Sequence, residues 1–176
     1  MKRVVGLVAL GLLVPIFQGA VAAFLPRSAC PDLGLLLVIA LGVGLRSTAG
    51  GVALAAWIGF VSDLLSGSLF GQHALLRVLA FGAARLTGGH VNLQGAFTQM
   101  ALAAALTIAS AFGMVGLSAF FAGSAPLAPG GALLWQMGVN ALFAPFVLGL
   151  VARLITKLDG DDGRRLLRLD PRGYSA

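Results

Sequence analysis

Two opposite charges stand in an otherwise apolar stretch, Gly59–Arg77, on either side of a Gly/Ser turn. Asp63 lies four residues before Gly67, and Arg77 lies six residues after Gly71. At a helical rise of about 1.5 Å per residue, the two side chains would lie roughly 6 and 9 Å from the same end of a helical hairpin. Because a lone charge is costly in lipid, we predict that Asp63 and Arg77 form an ion pair. The pair either holds the hairpin together or shapes an outer-leaflet groove for a partner helix.

The other polar residues do not form a pattern typical of catalysis. The sequence contains no glutamate, no Gly-x-Ser-x-Gly, no His-Glu-x-x-His and no paired-carboxylate arrangement. His73 and His90 have no cysteine or carboxylate at the spacing of a metal site, which favours polar roles near a membrane surface. We therefore expect a protein that is not an enzyme and has no metal and no cofactor.

The composition indicates that lipid is the solvent for most of the chain. The sequence is 59% hydrophobic and only 10% charged, whereas a soluble domain is about half apolar and roughly a quarter charged. The apolar runs are continuous instead of alternating, which argues against a barrel. The sequence therefore predicts an all-α, polytopic membrane helical bundle. The net charge of +6 reflects membrane topology, so we expect contact with membrane lipid and none with nucleic acid.

Six apolar segments are candidates for transmembrane helices. They are Val4–Leu25, Pro31–Leu45, Ala49–Ser66, Gln72–Leu86, Gly95–Ala122 and Ala132–Thr156. The first contains a possible signal-peptidase site, but its length and the spans that follow favour a retained helix. The second and fourth are short for a hydrocarbon core of about 30 Å, so we expect that they are shielded within the bundle or that the bilayer thins around them.

The basic residues support six spans with both termini on one side. In that arrangement ten of the twelve Lys and Arg residues share the side of the termini. Arg27 alone lies opposite, and Arg77 lies within the membrane. The positive-inside rule therefore predicts that both termini are cytoplasmic. We expect a multi-pass membrane protein with a transmembrane domain over residues 1–157.

Residues 158–176 form a charged cytoplasmic tail in this interpretation. Four aspartates and four arginines cancel within it, which argues against a polybasic lipid sensor. Asp161 or Asp162 is a candidate cap for a short amphipathic helix that extends through Leu169.

Small residues recur every fourth position in two of the predicted helices. In the third helix they are Gly51, Ala55 and Gly59, and in the fifth they are Ala101, Ala105, Ala109 and Gly113. Small residues at this spacing allow close approach of helices in membranes. We predict that these faces pack against other helices, including those of a partner.

Single polar residues and prolines mark further positions inside the apolar segments. Asp32 opens the second helix, where the helix dipole favours a carboxylate, and it could also join the ion pair at the outer face. Gln18 and Asn140 are predicted to form hydrogen bonds between helices. Pro145 is predicted to mark a bend in the last helix.

Several segments together resemble the rod shape-determining protein MreD family of bacteria. They are Cys30–Val38 (CPDLGLLLV), Gly59–Phe60, Asp63–Gly67 (DLLSG), Gly71–Leu75 (GQHAL) and Val139–Pro145 (VNALFAP). The ordered set carries the resemblance, since no single segment is specific. It extends over the whole predicted transmembrane domain.

The resemblance implies a non-enzymatic inner-membrane subunit of the cell-elongation machinery. Such proteins bind the bitopic protein MreC. Through it they connect the cytoskeleton to the peptidoglycan polymerase and transpeptidase of the lateral wall, and thereby help determine cell shape. The resemblance also implies a bundle similar to the substrate-binding subunits of energy-coupling-factor transporters.

The alternative function is a small-molecule (vitamin) binding subunit of a transporter. Such a subunit should have an outward pocket rich in aromatic and polar groups. The tyrosine of this sequence, Tyr174, lies in the tail, and its two tryptophans, Trp57 and Trp135, are far apart along the chain. A channel or proton carrier is a third class, for which Asp63 is the candidate residue.

Overall fold

The computed structural model describes residues 2–24, 30–45, 47–67, 70–90, 95–122 and 130–168. The elements are α1, Lys2–Ala22; α2, Leu33–Gly44; α3, Thr48–Ser66; α4, Gln72–His90; α5, Ala96–Ala122; and α6, Gly131–Arg168. All six elements in these ranges are α-helices, as predicted. Four of them, α1, α3, α5 and α6, are long and apolar enough to cross a membrane. The fold fits a helical membrane bundle.

Two helices are longer than the sequence predicted. α4 runs to His90 instead of Leu86 and has 19 residues, so the prediction that it is short was wrong. α6 continues to Arg168, so the prediction of a separate helix in the tail was also wrong. No proline follows either predicted end closely enough to interrupt the backbone hydrogen bonds, and the helices simply continue. Arg27 and Arg46, which enter the predicted topology, and residues 169–176 lie outside the described residues.

α2 lies at the centre of the bundle. It contacts each of the other five helices, and nine of its twelve residues are buried. At about 1.5 Å per residue it is roughly 18 Å long, well below the hydrocarbon thickness of about 30 Å. A helix this short is stable here because protein surrounds it, which confirms the first of the two alternatives predicted for it.

The contacts of α2 define two ends of the bundle. Near the start of α2, the N–H of Asp32 donates to Asn140 of α6 at 2.7 Å. After its last turn, the carbonyl of Leu45 accepts from Arg85 of α4 at 2.6 Å, and Leu7 of α1 lines the same groove as Leu45. We call these the Asp32 end and the Leu45 end. α1 begins at the Leu45 end, whereas α2 and α6 begin at the Asp32 end.

The small-residue face of α3 packs directly against α4. A Cβ added at Gly59 would lie 2.6 Å from the backbone nitrogen of Ala74, and one added at Gly51 would overlap the ring of Phe81. Ala55, between them, has no exposed surface. The predicted close packing is confirmed. Because α4 of the same chain covers this face, it is not available to a partner.

The replacement Gly59→Ala should therefore destabilise the bundle by roughly 1–3 kcal/mol, because backbone atoms of α4 have no rotamer with which to make room. Gly116→Ala is the matched control, since nothing lies within 4 Å of a Cβ added there. Reversible unfolding in mixed micelles would measure both. Equal stability of the two variants would contradict the close approach of α3 and α4.

Candidate functional site

Arg77 forms a buried ion pair with Asp32. Its Nη2 donates to both carboxylate oxygens of Asp32, at 2.7 and 2.8 Å. Arg77 is only 6% exposed, whereas the side chain of Asp32 keeps 20% of its surface exposed. Charge-assisted hydrogen bonds of this kind offset much of the cost of holding a guanidinium away from water. The predicted pairing of Arg77 with Asp63 was therefore wrong.

Asp63 instead closes the first turn of α4. Its Oδ1 accepts the N–H of His73 at 2.9 Å, and its Oδ2 accepts those of Gly71 at 3.0 Å and Ala74 at 3.3 Å. Nδ1 of His73 lies 2.8 Å from the same Oδ1. Gly71 has a φ of +88°, which glycine adopts without strain as the chain turns into α4. The N–H groups at a helix start have no partner within the helix and carry partial positive charge. They therefore compensate the charge of the buried Asp63 carboxylate.

The height of each residue along α4 explains why the predicted pair does not form. Asp63 meets the first turn of α4, where backbone N–H groups occupy its oxygens. Arg77 lies five residues after Gln72, about 7 Å further along the helix, where the start of α2 lies beside it. A Cβ added at Gly34 of α2 would be 3.4 Å from Nη2 of Arg77. Asp32 stands at the start of α2, as predicted, and it pairs with Arg77 in place of Asp63.

Backbone N–H groups at the start of α2 donate to side chains of α6 and α1 and to the N-cap residue Asp32. The N–H of Asp32 donates to Oδ1 of Asn140 at 2.7 Å, and that of Gly34 donates to Gln18 at 3.2 Å. Oδ1 of Asp32 accepts the N–H of Leu35 as an N-cap. The first N–H groups of a helix need such partners when water is excluded. The interhelical hydrogen bonds predicted for Gln18 and Asn140 are confirmed.

Asn140 also connects α6 to α5. It is fully buried, and its Nδ2 donates to Oγ1 of Thr107 at 3.0 Å. The hydroxyl of Thr107 in turn donates to the carbonyl of Ala103 at 2.7 Å. A buried polar network of this kind fixes the relative positions of the helices that contribute to it.

A cavity of about 220 Å³, lined by both polar and apolar side chains, lies beside the ion pair, between α2, α4, α5 and α6. Its polar lining consists of Asp32, His73, Arg77, Thr107, Ser110 and Gln136. The cavity lies at the Asp32 end, where the twelve residues of α2 are too few to match the 27 of α5. Its volume is enough for several water molecules at about 30 Å³ each. Within the described ranges, no group of three or more His, Cys, Asp or Glu could hold a metal ion.

The remaining candidates lie away from this cluster. Pro145 is half-buried in α6, which continues through it, and the predicted bend stays a prediction. His90 is the exposed last residue of α4, and Cys30 is buried. The small-residue face of α3 meets α4 at Ala74 and Phe81, and neither of these residues lines the cavity.

Sequence reasoning did not single out Thr107, Ser110 and Gln136 as parts of a site. Each is a polar residue inside an apolar helix, which was the available signal. Polar residues in membrane helices usually face the interior of a bundle. The pattern did not show that α5 and α6 turn these residues toward the same space as Arg77.

The assignment of the ion pair can be tested by comparing two double-mutant cycles. Asp32→Ala and Arg77→Ala should each cost roughly 3–5 kcal/mol of stability, because each leaves a buried charge without its partner. The double variant should cost less than the sum, with a coupling of about 0.5–3 kcal/mol. The cycle of Asp63→Ala with Arg77→Ala should show a smaller coupling. A larger coupling in the cycle of Asp63 with Arg77 would show that Arg77 pairs with Asp63 instead of Asp32.

The polar character of the cavity can be tested by cysteine labelling in a Cys30→Ser background. Ala111 lines the cavity, whereas Ala109 is exposed on the outer, apolar surface of α5. Because a thiol reacts as the thiolate, which water stabilises, Ala111→Cys should react with a small hydrophilic maleimide several-fold faster than Ala109→Cys. Equal rates in lipid nanodiscs would mean that the cavity is closed to water.

Comparisons with known proteins do not assign this geometry to a family. No family model, no curated protein and no solved structure matches the chain. The resemblance to the MreD family therefore rests on the residues of this sequence, and what it implies about function is a proposal.

Proposed function

We propose that the protein is a non-enzymatic inner-membrane subunit of the bacterial cell-elongation machinery, of the MreD kind. It binds an MreC-like bitopic protein through the membrane helix of that partner. Through this contact it helps to organise the peptidoglycan polymerase and transpeptidase of the lateral wall, directly or by way of the MreC-like protein. Its role is to hold partners in place, with no catalytic step of its own.

The observation that carries this proposal is that segments on which the resemblance to the MreD family rests contact one another in the fold. Asp32, from Cys30–Val38, is bonded to Asn140, from Val139–Pro145. Asp63, which begins the DLLSG segment, is bonded to the N–H of Gly71. Two segments far apart along the chain, Cys30–Val38 and Val139–Pro145, thus meet at the Asp32 end, and the two segments that flank the α3–α4 turn meet each other. Residues that share a structural task in this way support the family resemblance more strongly than scattered matches in apolar sequence would.

The proposed orientation places the Leu45 end in the cytoplasm. α1 begins at this end, and Arg85 lies beside Leu45 there. Arg153 and Lys157 are exposed on the part of α6 that follows the buried Val151. Basic residues concentrate on the cytoplasmic side of membrane proteins. The Asp32 end, with its cavity and ion pair, then faces the outer leaflet.

The outer edge of α5 is the proposed contact for a partner helix. The residues of this edge are exposed and small: Ala101, Ala105 and Ala109. Gly113, the fourth of the predicted series, instead approaches Leu76 of α4. Without a hydrophobic driving force between helices in lipid, close packing along small residues is a main source of association. The edge of α5 therefore offers a partner helix a surface for close packing, whereas the face of α3 is covered by α4.

The transporter alternative receives less support from the size of the polar cavity. At about 220 Å³ it is below the roughly 300–1,000 Å³ typical of pockets that enclose a drug-sized ligand. A larger groove of about 570 Å³ lies between α1 and α3, but its lining is predominantly aliphatic. A vitamin that co-purifies with the protein would reverse this ranking.

Co-purification of the partner tests the proposal. The triple change Ala101→Leu, Ala105→Leu and Ala109→Leu should reduce recovery of the MreC-like protein several-fold, because the larger side chains prevent close approach of its helix. Depletion of the protein should round up rod-shaped cells, and the triple variant should fail to restore their shape.

Ala9→Leu, at an exposed position of α1, is the matched control and should leave recovery unchanged. Loss of the partner with Ala9→Leu alone would move the contact to α1. If the wild-type protein retains no MreC-like partner and clean depletion leaves cell shape unaltered, the proposed function is wrong.

A further inference from the structure

The cavity at the Asp32 end contains hydrogen-bonding groups that the described fold does not use. The side chain of Arg77 is 7% exposed, and only its Nη2 is engaged, by Asp32. Its buried Nε has no partner among the described residues. Ser110 and Gln136 line the same cavity and likewise have no hydrogen-bond partner within the described ranges. Buried polar atoms such as Nε of Arg77 are rarely left unsatisfied. Together with two half-buried polar side chains in the lining of the same cavity, this arrangement points to an occupant.

The cavity limits the size of that occupant. Its volume of about 220 Å³ exceeds what one or two water molecules need and is smaller than a typical drug-sized pocket. It therefore suits a polar group of several heavy atoms, such as the end of a larger molecule, and does not suit a whole cofactor.

The charges around the cavity favour an occupant without net charge. Asp32 already compensates Arg77 at 2.7 Å. The start of α4, with His73, already compensates Asp63. An anion or a cation in the cavity would add a charge with no counterpart beside the weakly polarisable interior of a helical bundle, which is unfavourable. A neutral group that both donates and accepts hydrogen bonds matches the unused groups without this penalty.

We propose that the cavity binds an uncharged hydroxyl-bearing group, either the sugar or glycerol end of a membrane lipid or a free polyol. Arg77 and the amide of Gln136 donate to its oxygens. The hydroxyl of Ser110 and the carbonyl of Gln136 accept from its hydroxyl groups. The site is distinct from the outer edge of α5, so it does not depend on the identity of the proposed partner.

Protection of a cysteine in the cavity measures this binding directly. The reporter is Ala111→Cys in a Cys30→Ser background, in phosphatidylcholine nanodiscs, and the measured quantity is its rate of alkylation by a small maleimide. Four additions are compared: monoglucosyl diacylglycerol, free glucose, phosphatidic acid and inorganic phosphate. A ligand at about ten times its dissociation constant leaves roughly one site in eleven open, so alkylation should slow about tenfold.

Slowing by the glucosyl lipid but not by free glucose supports the proposal with a lipid as the source. If the glucosyl lipid and free glucose both slow alkylation, the proposal is supported and a free polyol is a sufficient ligand. Stronger slowing by phosphatidic acid or phosphate overturns it in favour of an oxyanion site. If none of the four slows the reaction, the cavity holds only water and the proposal is also wrong.

Variants of the lining separate a specific site from general shielding by lipid. Gln136→Leu keeps a similar shape but removes two kinds of hydrogen bond, so it should weaken protection about two- to tenfold. Ser110→Ala is a smaller change that should act in the same direction. Thr156→Val, at an exposed position near the Leu45 end of α6, is the matched control and should leave protection intact. Equal protection in all three variants would contradict the assigned contacts.

Discussion

The structure depends on one requirement: the backbone groups at both ends of a short central helix need hydrogen-bond partners, and side chains of the surrounding helices supply them. At the start of α2, Gln18 and Asn140 accept backbone N–H groups while Asp32 caps its own helix. After its last turn, Arg85 donates to the carbonyl of Leu45. An unsatisfied backbone group costs several kcal/mol in a lipid environment. Each surrounding helix that supplies a partner is thereby fixed in position relative to α2.

α4 contributes most to this arrangement because it contacts α2 at both ends. Arg77 and Arg85 are eight residues apart, about 12 Å along the helix, and reach the start and the end of α2 respectively. Between them, Gly42 allows close approach, since a Cβ there would lie 2.9 Å from the carbonyl oxygen of Phe81. These charges explain why α4 is less apolar than its neighbours. Its basic residues are structural contacts to a buried helix and not a polar outer surface.

The same short helix also accounts for the polar cavity. Because α2 starts deep within the bundle, the longer α5 and α6 extend past it and enclose space above the ion pair. Several polar side chains line that space among apolar ones, whereas the outer surface of α1 and α5 exposes many large apolar side chains. The proposed function needs that outer surface for contact with helices of a partner. The cavity adds a place where a small polar group can meet the same buried network.

The sequence by itself determined the helical class, the number of helices and most of their limits, because composition and continuous apolar runs act locally. It also indicated which residues would be buried and polar, including Asp32, Asp63, Arg77 and Asn140. Only the tertiary structure decided which of them meet. Which polar residues pair depends on the relative heights and rotations of the helices. Asp63 lies about one helical turn from the height of Arg77 along α4, so it bonds to the start of α4 while Arg77 bonds to Asp32. For the same reason, the spacing of small residues predicted a close-packing face on α3 and another on α5. Only the packing of the helices showed that α4 covers the face of α3 and leaves most of the face of α5 exposed.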